Sequence, residues 1–206
     1  MGMMDYKIEK HKYFNKDNIC VEDKNFVLKH LIAEDREYYF DLYEENSVLK
    51  DMKDFHGFME WNWNLILQED SIYVSVFRKV PYQYVGNIVL RNLKSKTPEI
   101  GIDICKKYKR QGIASYVLPM FTNKISEIQE IEYFFVRIYS DNYPSICLFK
   151  KLGAVEFGNE PSEYRIFLNE LKEKYDDDTY KEIIENPLES EAIADERCIR
   201  QYKLYV

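Results

Sequence analysis

The sequence predicts an α/β protein built on a mixed, mostly antiparallel sheet with helices on both faces. Three observations predict it. Between residues 71 and 104, runs rich in Val, Ile, Tyr and Phe follow one another across short polar breaks, the pattern of an antiparallel meander. From residue 106 onward the apolar spacing moves between helix and strand periods in alternation. Aromatic residues make up 16% of the chain and hydrophobic residues 46%, too much apolar area to leave in water.

The elements are expected in this order. Residues 1–24 are polar and weakly patterned, and residues 25–31 form a short strand carrying Phe26 and Leu28. Helical spacing follows at Tyr39, Leu42 and Tyr43 within 33–45, and again along the aromatic-rich stretch 48–67. His56 lies in that second stretch, with no partner visible in the sequence. Strands are expected at 71–77 and 85–91, with residues 78–84, including Pro81, as their turn. A polar turn at 92–98 leads to a third strand, 99–104. Leu118, Phe121, Ile125 and Ile128 share one face of a helix over 113–129, and Pro119 inside it should bend it.

Residues 131–139 read as a buried strand, 142–152 as a helix closed by Gly153, and 154–157 as a short strand. Tyr164, Phe167, Leu168, Leu171 and Tyr175 then return to helical spacing, with Ser162 as the cap. A second short helix is expected at 179–185, before Pro187. The closing strand is placed at 198–206 and not at 164–168, because Ile166-Phe167-Leu168 breaks the period of two that a strand needs. One domain over 1–206 is expected, with a helical insertion at about 160–185 before the last strand.

Charge and cysteine usage narrow the function. The 206-residue chain carries 36 acidic and 29 basic residues, so 29 − 36 gives a net charge of −7. That argues against nucleic acid or an anionic membrane surface as partner. No CxxC pair or zinc-ligand spacing joins Cys20, Cys105, Cys147 and Cys198, so no metal is expected. Free cysteines, the lack of an apolar leader in the first residues and the lack of a bilayer-length apolar run point to the cytoplasm.

The sharpest local feature is Lys109-Arg110-Gln111-Gly112-Ile113-Ala114-Ser115, between a strand and a helix. Unpartnered N–H groups at a helix start suit a phosphate, and Gly112 lets the backbone come close to one. Lys106, Lys107, Lys109 and Arg110 concentrate positive charge in an acidic chain, which favours a specific anionic ligand; a solvated basic turn has the same composition. The nucleotide-binding glycine motifs with wider spacing are absent.

That loop resembles the acetyl-CoA loop of the GNAT superfamily of N-acetyltransferases: Gln or Arg, two variable residues, Gly, one variable residue, then Gly or Ala. Gly112 and Ala114 fit; Lys109 stands where Gln or Arg is usual, and Arg110 where a first glycine is common. A second family element runs from Asp141 to Ala154, matched at Asn142, Ser145, Leu148, Lys151 and Gly153. Within the superfamily, the resemblance is to the branch acting on ribosomal-protein N-termini, aminoglycosides and small amines.

The resemblance implies the acyl-CoA N-acyltransferase fold and acetyl transfer from acetyl-CoA to a primary amine. The acceptor would be cationic, a small molecule or a peptide N-terminus. It implies that the backbone at Ile102 and Ile104 pairs with the pantetheine arm and that Arg110, Gln111, Gly112, Ile113, Ala114 and Ser115 receive the pyrophosphate, with Lys109 beside them. Asn142 would touch the cofactor or cap the next helix. Glu99 occupies a position from which relatives supply a general base, directly or through water; as a turn-edge carboxylate it would face solvent instead. Where the family often has a tyrosine as leaving-group acid, this chain has Phe149, so a non-catalytic acyl-CoA-binding or regulatory module is the rival reading.

Overall fold

The computed structural model describes residues 11–46, 57–66, 70–184 and 186–206. These form two compact units, one reaching Phe135 and including Tyr205 and Val206, the other Val136–Leu204.

The first unit is built on five antiparallel strands in the order β1 (Ile19–Glu22), β2 (Phe26–His30), β3 (Ser71–Lys79), β4 (Tyr82–Arg91) and β5 (Glu99–Ile104). The meander read from the sequence is present. Its β3–β4 turn is tighter than expected, because both strands extend to Lys79 and Tyr82. β1 was hidden in the polar N-terminal stretch: four residues pinched between Asn18, at φ +60°, and the Asp23–Asn25 turn are too short to display a period. β4 is buried without interruption from Tyr84 to Leu90, as expected of a strand covered on both faces.

Helices α1 (Arg36–Asn46) and α2 (Phe58–Ile66) cover one face, where Tyr39, Phe40, Trp63 and Ile66 pack with Leu31 and the half-buried Tyr73. Gly57, at φ +82°, precedes α2 and does not interrupt it. The rest of the expected 48–67 helix, His56 included, lies outside the described residues. On the other face α3 (Ile113–Ile128) buries Val117, Leu118, Phe121 and Ile125 and runs without a break through Pro119. β6 (Phe134–Tyr139) starts three residues later than expected and opens in this unit, where Phe135 pairs parallel to Glu99.

In the second unit, β6 is followed by α4 (Tyr143–Lys151), β7 (Val155–Pro161) and β8 (Cys198–Leu204), in the strand order β6-β8-β7. Gly153, at φ +90°, ends α4. β7 is longer than its apolar stretch, since six register pairs with β8, from Val155–Lys203 to Pro161–Cys198, carry it through polar residues. Three helices separate β7 from β8: α5 (Glu163–Lys174), α6 (Asp177–Ile183) and α7 (Pro187–Glu196). Ser162 and Asp176 cap the first two through the N–H groups of Arg165 and Thr179. α7 was missed because its own pattern is poor; only Ala194 is buried, joining Leu168 and Tyr180 in a small separate core.

Candidate active site

The basic loop leaves β5 through a single helical turn at Lys106–Tyr108 and enters α3 at Gly112. Its scaffold is mutual. Tyr108 is buried and donates its hydroxyl to Gln83 Oε1 at 2.7 Å, while the Arg78 guanidinium lies 5.3 Å from the Tyr108 ring and donates to Gln111 Oε1 at 3.2 Å. Gln111 Nε2 donates in turn to the Lys107 carbonyl at 2.9 Å. Gln111 therefore braces the turn through its side chain. The end of α1 holds the loop as well: Glu45 accepts the Lys106 N–H at 2.8 Å, and Asn46 accepts from Lys109.

Arg110 and Gly112 both adopt left-handed backbone, at φ +62° and +77°. The departure at Arg110 is thereby explained in part: the chain keeps the conformation a glycine would take there, with an arginine in it. After Gly112 the first helical bond is Tyr116 N–H to Gly112 O, so the N–H groups of Ile113, Ala114 and Ser115 have no partner within α3. No side chain caps this end, its first turn holds no acid, and the Ser115 hydroxyl turns back to the Gly112 carbonyl at 2.8 Å. Lys106, Lys107, Lys109 and Arg110 are all exposed around it. This donor set fits a pyrophosphate.

β5 leads into this loop, and β4 pairs with only one of its two sides. Cys105 N–H donates to Val85 O on β4, whereas Pro98 O, on the other side, accepts Phe135 N–H. Strand alternation then turns the backbone groups of Ile102 and Ile104 away from β4, beyond the Glu99–Phe135 pairing. Gly86 sets the approach on the inner side: a Cβ there would stand 2.1 Å from the Asp103 carbonyl oxygen.

Glu99 and Asp103 share the face of β5 that α1 and α2 cover. Glu99 opens the strand, and its Oε1 accepts from Arg91 Nη1 at 3.0 Å; its side chain is 17% exposed, so it is not the solvent-facing carboxylate of the simpler reading. Asp103 is a residue that sequence reasoning missed. It lines a cavity of about 180 Å³ with Tyr39, Tyr43, Asn46 and Asn87. Solvent reaches its side chain, yet surrounding protein removes enough water to raise its pKa, against the opposing pull of Lys109 and Arg91. The signal was present: Ile100, Ile102 and Ile104 define one face of β5, which leaves a lone aspartate on a face covered by helices. Beneath that face runs a buried polar row. Ser75 Oγ donates to Asp35 Oδ2 at 2.7 Å, Ser75 pairs with Asn87 across the strands, and Asn87 pairs with Asp103.

In the second unit, Asn142 caps α4, its Oδ1 accepting the Ser145 N–H at 3.3 Å. Phe149 is buried and offers no proton. Tyr139 donates its hydroxyl to Glu163 under the Arg197 guanidinium; burial first, and then that bond, push its pKa up to about 12. Tyr143 is exposed. Among the described residues no group of acidic, His or Cys side chains is placed to hold a metal, and no helix is long and apolar enough to cross a membrane.

Residues 25–155 match the family model described as the acetyltransferase (GNAT) domain. The chain belongs to the GNAT acetyltransferase family. It is accordingly an N-acetyltransferase, with acetyl-CoA as its co-substrate. No curated protein matches it. Solved structures share the fold at low identity. A domain from Methanocaldococcus jannaschii is 15% identical with a TM-score of 0.58, covering 87% of this chain and 98% of its own. Spermidine N-acetyltransferase from Vibrio cholerae, solved with CoA and spermine, is 14% identical with a TM-score of 0.55, covering 68% and 87%. RimJ from Mycobacterium smegmatis, solved with CoA-disulfide, is 15% identical with a TM-score of 0.55, covering 66% and 73%.

Proposed function

We propose that this GNAT protein moves the acetyl group of acetyl-CoA onto a primary amine of a cationic acceptor. The observation that carries the reading is the uncapped start of α3, delivered by Gly112 into a cluster of four exposed basic residues next to β5, where the backbone of Ile102 and Ile104 faces away from β4. Lys109, Arg110, Gln111, Gly112, Ile113, Ala114 and Ser115 would hold the pyrophosphate, and the backbone of Ile102 and Ile104 the pantetheine. Asn142 keeps its capping role and would order the start of α4. Acetyl-CoA would supply an activated acyl group: the C–N bond forms as the thioester C–S bond breaks, and the second proton shed by the nitrogen ends on the departing thiolate. Glu99 is the residue proposed to accept the ammonium proton, directly or through a water, with Arg91 orienting its carboxylate. Phe149 cannot protonate the leaving sulfur, so the thiol departs without a dedicated acid at that position.

The net charge of −7 eases the approach of a cation. The solved relatives named for spermidine acetylation, one of them holding CoA and spermine, support an amine acceptor. All four cysteines are unpaired, which suits the reducing cytoplasm, where we place the reaction.

Titration with acetyl-CoA and a thiol-release assay over an amine panel test this reading. Folded Gly112→Val protein should bind CoA at least about tenfold more weakly, since a β-branched residue resists the left-handed turn and fills the phosphate approach. Glu99→Gln should bind CoA normally and lose turnover. Unchanged affinity in the first variant, or an unchanged rate and pH profile in the second, would remove the corresponding residue from the site.

A further inference from the structure

The apolar stripe of α5 is only partly covered. Tyr164, Phe167, Leu168, Leu171 and Tyr175 have the spacing of a buried helix face, yet Leu168 alone is fully buried in α5. The small core of the second unit takes Leu168 and, at its margin, Leu171. Tyr164, Phe167 and Tyr175 are left 39%, 46% and 36% exposed. At about 100° per residue, Tyr164, Phe167 and Leu171 fall within about 60° on one flank of the helix, and Tyr175 continues the line at its end. The Tyr164 and Phe167 rings stack, 6.5 Å apart and 22° between planes. Arg165 and Lys172, which tie α5 to α7, stand about a third of a turn round from that flank. The stripe runs for about 16 Å with nothing of the helical insertion laid over it.

Charge decides what suits such a face. Residues 163–196 hold 12 acidic and 4 basic residues, so 4 − 12 gives −8. The rest of the chain holds 24 acidic and 25 basic residues, so 25 − 24 gives +1. The net charge of the protein therefore sits on these three helices. Two of their four cations, Arg165 and Lys172, are already engaged by Glu191 and Asp195. Such a field repels nucleic acid, an anionic membrane and the same surface of a second copy, and it attracts a basic polypeptide. The aromatic stripe adds direction to that attraction, since a line of rings along a helix is covered best by a ridge of side chains at the same spacing. All of it lies beyond residues 25–155, which match the family domain.

We propose that the exposed flank of α5 is a docking site for a basic amphipathic helix of another protein. Its apolar ridge would lie along Tyr164, Phe167, Leu171 and Tyr175, with its lysines and arginines against the acidic residues of the insertion. The inference concerns partner binding and does not rest on the identity of the acetyl acceptor.

Calorimetry on the whole chain tests it with three synthetic peptides of about 18 residues, long enough for five helical turns. The first patterns Leu and Lys as an amphipathic helix, the second replaces every Lys by Glu, and the third scrambles the order of the first. The patterned Leu/Lys peptide should bind at least about tenfold more tightly than either control, and more weakly as salt rises. Tyr164→Ser with Phe167→Ser should weaken that binding by about tenfold or more, with the affinity for CoA unchanged. Should the double variant unfold, Phe167→Ser alone carries the comparison, because nearly half of that ring is already in water. Glu170→Lys should weaken binding and flatten its salt dependence. Equal affinity for the patterned and scrambled peptides, or for the Lys and Glu peptides, overturns the inference, as does undiminished binding in the aromatic variants. Sedimentation showing a dimer that Phe167→Ser disperses would assign the stripe to a second copy and overturn it as well.

Discussion

Arg110 holds φ +62°, a conformation that costs a side-chain-bearing L-residue about 1–2 kcal/mol. Glycine at 110 removes that cost but gains freedom in the unfolded chain, so Arg110→Gly should match or exceed the parent in thermal midpoint. Arg110→Val adds crowding at Cβ and should lose about 1–2 kcal/mol. A valine variant as stable as the parent would show that this turn is not strained. Gly86 is a different case, set by proximity. A Cβ would fall 2.1 Å from a backbone oxygen of Asp103, which cannot swing away as a side chain could. Gly86→Ala should therefore cost about 2–4 kcal/mol and shift the β4–β5 register, weakening acceptor turnover along with stability. Denaturant midpoints together with kcat/KM check both halves; a stable variant with parental turnover would refute the close approach.

At the scale of elements, α5–α7 are held by a polar cluster as much as by their small core. Arg165 donates to Glu191 and Asp195, and Lys172 and Tyr180 converge on the same Glu191 carboxylate. The hydrogen bond from Lys172, then those from Tyr180 and Arg165, hold the Glu191 pKa down at about 2, against 4.5 for an unperturbed glutamate. A depressed folded-state pKa contributes stability that is fully present above the unfolded value and is lost as pH falls through the folded one. The helices should accordingly loosen as pH drops from about 4.5 to about 2. Glu191→Gln should be less stable at neutral pH and should lack that part of the pH dependence. Hydrogen exchange over residues 163–196 reads the effect directly; parallel pH curves for parent and variant would argue against it.

For the molecule as a whole, the last strand decides whether the second unit exists. β8 is the central strand of β6-β8-β7 and buries Ile199, Tyr202 and Leu204. Its loss leaves the hydrogen-bonding edges of two strands open. Deleting residues 198–206 should abolish soluble expression, and a soluble truncated chain that still binds CoA would show that the strand is dispensable.

The amino-acid sequence was sufficient for elements whose signal is local. The meander, α3, α4 with its Asn142 cap and Gly153 stop, and the Gly112 loop each announce themselves within a few residues, because period, caps and left-handed glycines act over one or two turns. The same locality let the family loop be read from Gly112 and Ala114. β1 and α7 escaped because one is four residues long and the other has almost no apolar face; both are stabilised by what they pair with or pack against. The same reason hid the polar face of β5. Asp103 is one letter in a strand, and only the strand register sets it beside Asn87, in line with Ser75 and Asp35, and under Tyr39 and Tyr43 of α1. Those partners come from segments far apart in sequence. Their meeting depends on how strands pair and where a helix lies across them, and these are choices that tertiary packing makes.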